Sequence, residues 1–175
     1  NDVWALRQPG AVQVVAGHPQ CGVCLMHMHR EPLTMQTAPM TGDVLQQVRA
    51  FLQLTAQGLQ AAGVAHSRIV LDAGVGFGKT VAQNLSLLQR QSELLSLGFP
   101  LLAGWSRKSS LAMLCAEPAG GAGGADALTP LPMAERMLPS IVAALLAVER
   151  GARLVRVHDV RETVQALKVW TAASM

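Results

Sequence analysis

Three apolar segments of the sequence end in short clusters of polar residues that could bind a charged ligand. One apolar run ends at Asp72, before the glycine-rich residues 73–79. A second leads into the Ser-Arg-Lys-Ser of residues 106–109, and a third ends at Arg156 and His158. A carboxylate combined with cations, glycines and hydroxyls suits a polar heterocycle that carries phosphate.

The first cluster could recognise a ring edge that carries N–H and NH₂ groups, as in a guanine or a pterin. A carboxylate such as Asp72 accepts paired hydrogen bonds from such an edge, and glycines let the backbone approach it closely. A helix cap or turn is the structural alternative for this Asp. The cluster also resembles a phosphate-binding loop, but only three residues separate Gly74 from Gly78-Lys79-Thr80, where that loop needs four. A nucleotide triphosphatase is therefore disfavoured.

The other two clusters are candidate anion sites. Cations at 106–109 would start a helix, where they oppose the helix dipole unless an anion lies there. Arg156 and His158 are two residues apart, so an extended backbone places both on one side. A structural role for His158 alone is the alternative. A phosphate or a carboxylate is the ligand that this pattern favours.

A metal or redox site is a weaker hypothesis. Cys21 and Cys24 lie near His18, His27 and His29, but residues three apart in a strand face opposite sides. The two cysteines could share a metal only if Cys21 lies in the preceding loop, and no second Cys pair completes a zinc site. Met26 and Met28 are more typical of core or of a pocket wall against a flat ring.

The elements that would position these residues alternate between strand and helix. We predict strands near 22–28, 68–72, 100–104 and 153–157, and helices near 11–16, 43–62, 82–97, 107–115, 133–150 and 160–173. This order predicts an α/β fold with a parallel sheet.

A complete (β/α)₈ TIM barrel takes about 250 residues. The 175 residues hold four units and a strand tail at 1–3, so we expect its C-terminal half, from the end of strand 4 through helix 8, in one domain. The Gly-rich residues 117–132 are expected to form a loop insertion.

Composition excludes several classes of protein. Half of the residues are apolar, which is enough for a real core, and the net charge of +3 is scattered, so nucleic acid is not an expected partner. The longest apolar run, Ile141 to Val148, is far below the roughly 20 residues of a membrane span. Three cysteines fit a reducing compartment, and we expect a cytoplasmic protein. The chain begins at Asn1 without a signal peptide, which we interpret as a cut end.

Five motifs in this order closely resemble bacterial dihydropteroate synthase over almost the whole chain. They are Asn1-Asp-Val, Cys24-Leu-Met-His-Met28, Leu71-Asp-Ala-Gly-Val-Gly-Phe-Gly-Lys79, Gly104-Trp-Ser-Arg-Lys-Ser109 and Arg156-Val-His-Asp-Val160. The resemblance implies a TIM barrel of folate biosynthesis, a transferase that joins 6-hydroxymethyl-7,8-dihydropterin pyrophosphate to p-aminobenzoate, releases pyrophosphate and is the target of sulfonamides. Ala73, Val75 and Pro139 depart from the family pattern.

The resemblance also implies a role for individual residues. Lys108, Arg156 and His158 would be catalytic. The pterin would be bound by Asn1, Asp72, Met26, Gly104 and Lys108, the pyrophosphate by Arg156 and His158, and p-aminobenzoate by Gly76, Phe77, Arg107 and Ser109. A Mg²⁺ cofactor is implied, with its ligand before Asn1 and no metal ligand within this chain.

The resemblance further implies a homodimer formed through the later helices, with residues 133–150 contributing most. By itself this chain is expected to keep part of the pterin pocket and to turn over little substrate. A pterin-binding methyltransferase of the same superfamily is one alternative, although it has no need of paired anion sites. A noncatalytic fragment or paralogue is the other.

Overall fold

A computed structural model describes residues 1–31, 34–35, 37–118 and 128–174. Strands and helices alternate through most of that length. The strands are β1 (Val23–Met26), β2 (Ile69–Asp72), β3 (Leu101–Ala103), β4 (Glu117–Pro118), β5 (Leu128–Thr129) and β6 (Ala152–Val155). The α-helices are α1 (Ala11–Ala16), α2 (Val44–Ala61), α3 (Val81–Gln89), α4 (Ser109–Leu114), α5 (Met137–Glu149) and α6 (Val160–Ser174).

The main sheet has four parallel strands in the order β1-β2-β3-β6, which confirms the predicted α/β fold with a parallel sheet. Helices connect the strands, as parallel neighbours require. At one edge Asp2 forms a parallel bridge with Leu25 of β1, where a strand tail was expected. The carboxyl ends of all four strands therefore meet along one edge of the sheet, and the residues that follow them are neighbours.

Two predicted helices differ from those observed. The helix expected over 82–97 ends at Gln89, and the chain continues as a 3₁₀ helix, Gln91–Leu97. At the start of this 3₁₀ helix the buried side chain of Gln91 donates to the carbonyl of Ala147. The helix expected over 133–150 starts as a 3₁₀ turn, and the α-helical part begins at Met137. Pro139 fits there because the first helical turn leaves its backbone N–H groups unbonded.

Apolar side chains of the strands and helices form two clusters. The larger cluster packs α2 against β1 and β2 through Leu25, Val48, Leu52, Ile69 and Leu71. The smaller one packs α5 against β3 and β6 and includes Trp105, Leu111 and Ala147. These clusters hold the strands in a fixed order, so the loops at their carboxyl ends start from rigid positions.

The helices that follow β1 and β2 are also capped. Asp43 accepts from the backbone N–H of Gln46 at the start of α2, and Thr80 and Gln83 form a capping box at the start of α3. A capping box satisfies backbone donors that would otherwise be exposed, so α3 begins sharply after the glycine-rich loop.

The expected insertion at 117–132 lies only partly within the described residues. At its ends β4 and β5 pair antiparallel, and residues 119–127 lie outside the described part of the chain. Among the helices that the structure does describe, none is both long enough and apolar enough to span a membrane.

Candidate active site

A cavity of about 320 Å³ lies beyond the carboxyl ends of the strands. Seven of the predicted site residues line it, namely Asn1, Met26, Phe77, Gly104, Lys108, Arg156 and His158. Val3, Ser106 and Val157 complete the lining. These residues come from the chain start and from the ends of β1, β2, β3 and β6. The sheet topology thus brings together groups that are up to 157 positions apart in the sequence.

Asp72 lies at the last position of β2 and is 2% exposed. Its Oδ1 accepts from the Gly74 N–H at 2.8 Å, and its Oδ2 accepts from Nη2 of Arg156 at 3.2 Å. Burial raises the pKa of this carboxyl, against the Gly74 hydrogen bond and the Arg156 charge, which act to lower it. Asp72 does not itself line the cavity, and it reaches the mouth through Arg156.

Lys108 precedes α4 and crosses above the glycine-rich loop. Its Nζ is 4.4 Å from the centroid of the Phe77 ring, a cation–π contact. Gly76 has a φ of +83°, and a Cβ there would lie 3.3 Å from Cδ of Lys108. Burial lowers the pKa of Lys108, while the Asp72 charge acts to raise it. Glycine suits position 76 for two reasons: it adopts the positive φ without strain, and its lack of a side chain lets the lysine stem pass close to the loop.

Arg156 and His158 follow β6 and face the turn after β3. A Cβ at Gly104 would overlap the guanidinium of Arg156, so only glycine leaves that group its position. Ser106 holds His158 twice: its Oγ lies 2.9 Å from Nδ1 of the ring and accepts from the backbone N–H at 3.1 Å. Two cationic or protonatable side chains are therefore fixed beside each other at the cavity.

Arg107 and Ser109, which were predicted to receive p-aminobenzoate, do not line this cavity. The guanidinium of Arg107 pairs with Asp159 at 2.7 Å, which raises the pKa of Arg107 and lowers that of Asp159. Arg107 has a φ of +58°, and Ser140 accepts from its backbone N–H. Ser109 is an exposed residue at the start of α4.

Sequence reasoning missed two buried residues that support the glycine-rich loop. Asn84 is 1% exposed, accepts from the Gly76 N–H at 2.9 Å and donates to Oγ of Ser110 at 2.9 Å. Lys79 is 4% exposed and lies beneath the same loop. Asn84 lies on the buried face of α3 together with Leu87 and Leu88. Because a buried polar side chain almost always has a hydrogen-bond partner, its place in this apolar pattern could have indicated a supporting role.

Cys21 and Cys24, which were considered as metal or redox residues, do not line the cavity. Cys21 is exposed and precedes β1, whereas Cys24 is buried within it, so the expectation of opposite faces of one strand does not apply to this pair. Burial, with the nearby Asp72 charge, raises the pKa of the Cys24 thiol to about 12. Burial therefore favours the protonated, weakly nucleophilic form of this thiol.

Comparison with known proteins points to one family. Residues 1–158 match the family model described as pterin binding enzyme. The chain is 45% identical to the dihydropteroate synthase of Neisseria meningitidis serogroup B over 98% of this chain and 57% of that protein.

Solved structures of similar sequence also share the fold. Dihydropteroate synthase from Stenotrophomonas maltophilia, with imidazole bound at its active site, is 44% identical with a TM-score of 0.88, over 99% of this chain and 60% of that one. The Xanthomonas albilineans enzyme in complex with 7,8-dihydropteroate is 41% identical with a TM-score of 0.83, again over 99% and 60%. The chain thus spans somewhat more than half the length of the relatives that it matches.

Proposed function

This chain belongs to the pterin binding enzyme family, and from that premise we propose that it forms the pterin and pyrophosphate site of a dihydropteroate synthase. Such a transferase joins 6-hydroxymethyl-7,8-dihydropterin pyrophosphate to p-aminobenzoate and releases pyrophosphate. The Xanthomonas albilineans relative, whose complex contains 7,8-dihydropteroate, supports this choice of substrates.

One observation carries the proposal: two cations line a single cavity, and a buried acid lies behind it in contact with one of them. Asp72 contacts Arg156, and Lys108 lies within the same cavity wall as Arg156. The acid suits the amino-pyrimidine edge of a pterin, while Lys108 can donate to the ring carbonyl and a ring nitrogen. Asn1 adds an amide to that edge, and Met26 and Gly104 line the slot for the flat ring.

The pyrophosphate end is assigned to Arg156 and His158. A guanidinium binds phosphate oxygens through two parallel N–H donors, and an imidazole donates one more. As the C–O bond to pyrophosphate breaks, the dihydropterin ring releases electron density toward the methylene carbon, and charge grows on the departing oxygens. Arg156 and His158 stabilise that charge, and the aromatic amine of p-aminobenzoate then adds to the carbon and loses one proton to solvent. The reaction needs no protein nucleophile.

The p-aminobenzoate end is assigned to Gly76, Phe77, Arg107 and Ser109. Phe77 is at the cavity wall and Gly76 adjoins Lys108. Arg107 would contact the carboxylate only if it exchanged its partner Asp159 for the substrate. That exchange is between two carboxylates of similar strength, and the partial exposure of the pair makes it feasible.

Mg²⁺ belongs to the proposal only as an ion held outside residues 1–175. No group of three or more His, Cys, Asp or Glu side chains among the described residues could hold a metal ion. Arg156 and Lys108 also make the mouth unfavourable for a divalent cation. Within the part of the chain that the structure describes, the residues therefore do not fit a metal site, and no step above depends on one.

Three wider features complete the proposal. Residues 1–175 would be the C-terminal half of a (β/α)₈ barrel, because β1 and β6 are sheet edges that a closed barrel would pair. A homodimer through α5 is supported by the exposed Met137, Leu138 and Val142. Cytoplasmic residence is supported by three cysteines that are all free.

The test is a pair of measurements on the longest natural polypeptide that contains residues 1–175. Calorimetry should detect a dihydropterin pyrophosphate analogue, and that binding should in turn permit binding of p-aminobenzoate or a sulfonamide. Pyrophosphate release should require both substrates. Pterin binding without release would favour a methyltransferase or a noncatalytic paralogue, and no pterin binding would refute the proposal.

A further inference from the structure

Lys79 is the buried cation that the proposed mechanism does not use. Its side chain is 4% exposed, and it is absent from the lining of the cavity. Its Nζ lies 2.9 Å from the carbonyl oxygen of Gly74, 3.2 Å from that of Phe77 and 2.9 Å from Nδ1 of His27. An ammonium has three protons, and these are three acceptors.

The three acceptors belong to two different strand ends. His27 follows β1, whereas Gly74 and Phe77 lie in the loop after β2. A Cβ at Gly74 would overlap the carbonyl of His27, so the two segments are packed as closely as backbone permits. Lys79 therefore ties the loop after β2 to the end of β1.

The protonation states allow this arrangement over a wide pH range. Burial lowers the pKa of His27 to about 3, so the ring is neutral and can offer Nδ1 as an acceptor. Burial also lowers the pKa of Lys79 to about 7. A neutral amine keeps two N–H groups for the two carbonyls, and its lone pair can accept from the other His27 tautomer.

The residues that Lys79 holds are the ones that contact the site. The backbone N–H of Gly74 donates to Asp72, and the ring of Phe77 lies under the ammonium of Lys108. A shift of this loop would therefore change both the acid behind the cavity and the cation that lines it. Geometry of this kind places a side chain in a supporting shell around the ligand-binding groups.

We propose that Lys79 is a positioning residue, which fixes the Gly74–Phe77 loop against His27 and so sets Asp72 and Lys108 for the ligand. The identity of that ligand rests on the proposed function, but the effect on the loop does not. Lys79 itself touches no reacting atom, since it lies behind the loop and away from the cavity.

The test compares Lys79→Met, which keeps the apolar stem and removes the donors, with the matched control Gln91→Met. Gln91 is also buried and donates to Ala147 and Arg150 on the opposite part of the fold. Lys79→Gln serves as a second variant if Lys79→Met does not fold. All measurements are made on the longest natural polypeptide, at a temperature at which each variant is folded by circular dichroism.

Two readouts separate positioning from general stability. Amide hydrogen exchange at Gly74 should become at least about tenfold faster in the Lys79 variant, because the hydrogen bond to Asp72 loses its support. Affinity for a dihydropterin pyrophosphate analogue should fall about tenfold, which corresponds to the loss of one well-placed hydrogen bond. Gln91→Met should change neither readout by more than about twofold.

The outcomes are distinguishable from those of the proposed function. Unchanged Gly74 exchange in folded Lys79→Met, or equal effects of Lys79→Met and Gln91→Met, would overturn the inference. If the natural protein binds no pterin, the proposed function fails, and the exchange measurement still decides whether Lys79 positions the loop.

Discussion

The guanidinium of Arg156 donates to the carboxylate of Asp72 at 3.2 Å, across 84 positions of sequence. The residue proposed to bind the pterin and the residue proposed to bind the pyrophosphate are thus hydrogen-bonded to each other. Binding of a pterin pyrophosphate would give each a stronger partner, because the ring amine can replace Arg156 at Asp72 and phosphate can replace Asp72 at Arg156. The pair keeps an otherwise buried carboxylate compensated.

Asp72→Asn should weaken binding of a dihydropterin pyrophosphate analogue by roughly 10- to 100-fold, the effect of losing charged hydrogen bonds. The free energy of unfolding should not fall at neutral pH. Burial raises the pKa of Asp72 above its unfolded value, so the native carboxyl is favoured when protonated, and its contribution to stability declines as pH rises through the native pKa. Calorimetry and urea unfolding at pH 7 test both parts. Equal affinity in the variant would contradict the assignment.

Arg156→Met should reduce affinity for inorganic pyrophosphate by about tenfold or more, since a charged donor to phosphate is lost. Arg153→Met is the matched control, because Arg153 is exposed on β6, the strand just before Arg156, and lies away from this cavity. Equilibrium dialysis against labelled pyrophosphate gives the comparison. A similar loss in both variants would mean that general charge, and not Arg156, attracts the anion.

Gly104→Ala should lower ligand affinity and reduce the free energy of unfolding by roughly 1–3 kcal/mol, because displacing Arg156 leaves the buried Asp72 carboxyl without that partner. The added methyl group would displace the flexible end of Arg156, and Gly104 has no left-handed backbone that alanine would strain. Gly58→Ala is the control in α2, where a Cβ meets nothing within 4 Å. It should raise the unfolding free energy by about 0.5–1 kcal/mol and leave binding unchanged. If the two variants bind ligand equally well, the close approach at Gly104 has no functional role.

The free energy of unfolding of the natural chain, minus that of Lys79→Met, should increase as pH rises from about 7 to 10.5. The folded pKa of Lys79 lies below its unfolded value, so the unfolded chain binds more protons in that window and unfolding becomes less favourable with rising pH. The slope is at most about 1.4 kcal/mol per pH unit. The charged groups that face Lys79 are Asp72, which opposes the shift, and Lys108, which adds to it; His27 and His29 lie on the same side.

Chemical denaturation at several pH values gives this difference directly, and because both variants share every other titrating group, their contributions cancel. A difference that is constant or that shrinks with pH would show that the buried lysine is protonated throughout the window.

The order of the elements and the position of the polar clusters could be predicted from the sequence alone. Apolar runs interrupted by glycine and polar residues report local backbone conformation, so β2, β3 and β6 and the clusters after them were found within a few residues. The parallel sheet then follows from the alternation with helices, and it implies that the clusters share one edge. Asn1, Lys108, Arg156 and His158 do line one cavity there.

Only the tertiary structure decided which charges pair. Lys79, Arg107 and Arg156 all belong to the polar clusters after the strands. Arg156 is the one that contacts Asp72, whereas Arg107 turns to Asp159 and Lys79 is buried beneath the loop. Sequence periodicity encodes which face of an element is buried, and it carries no information on rotamers or on the distance between side chains from different loops. Those depend on the packing of the whole sheet and its helices, where a shift of one ångström exchanges one hydrogen-bond partner for another.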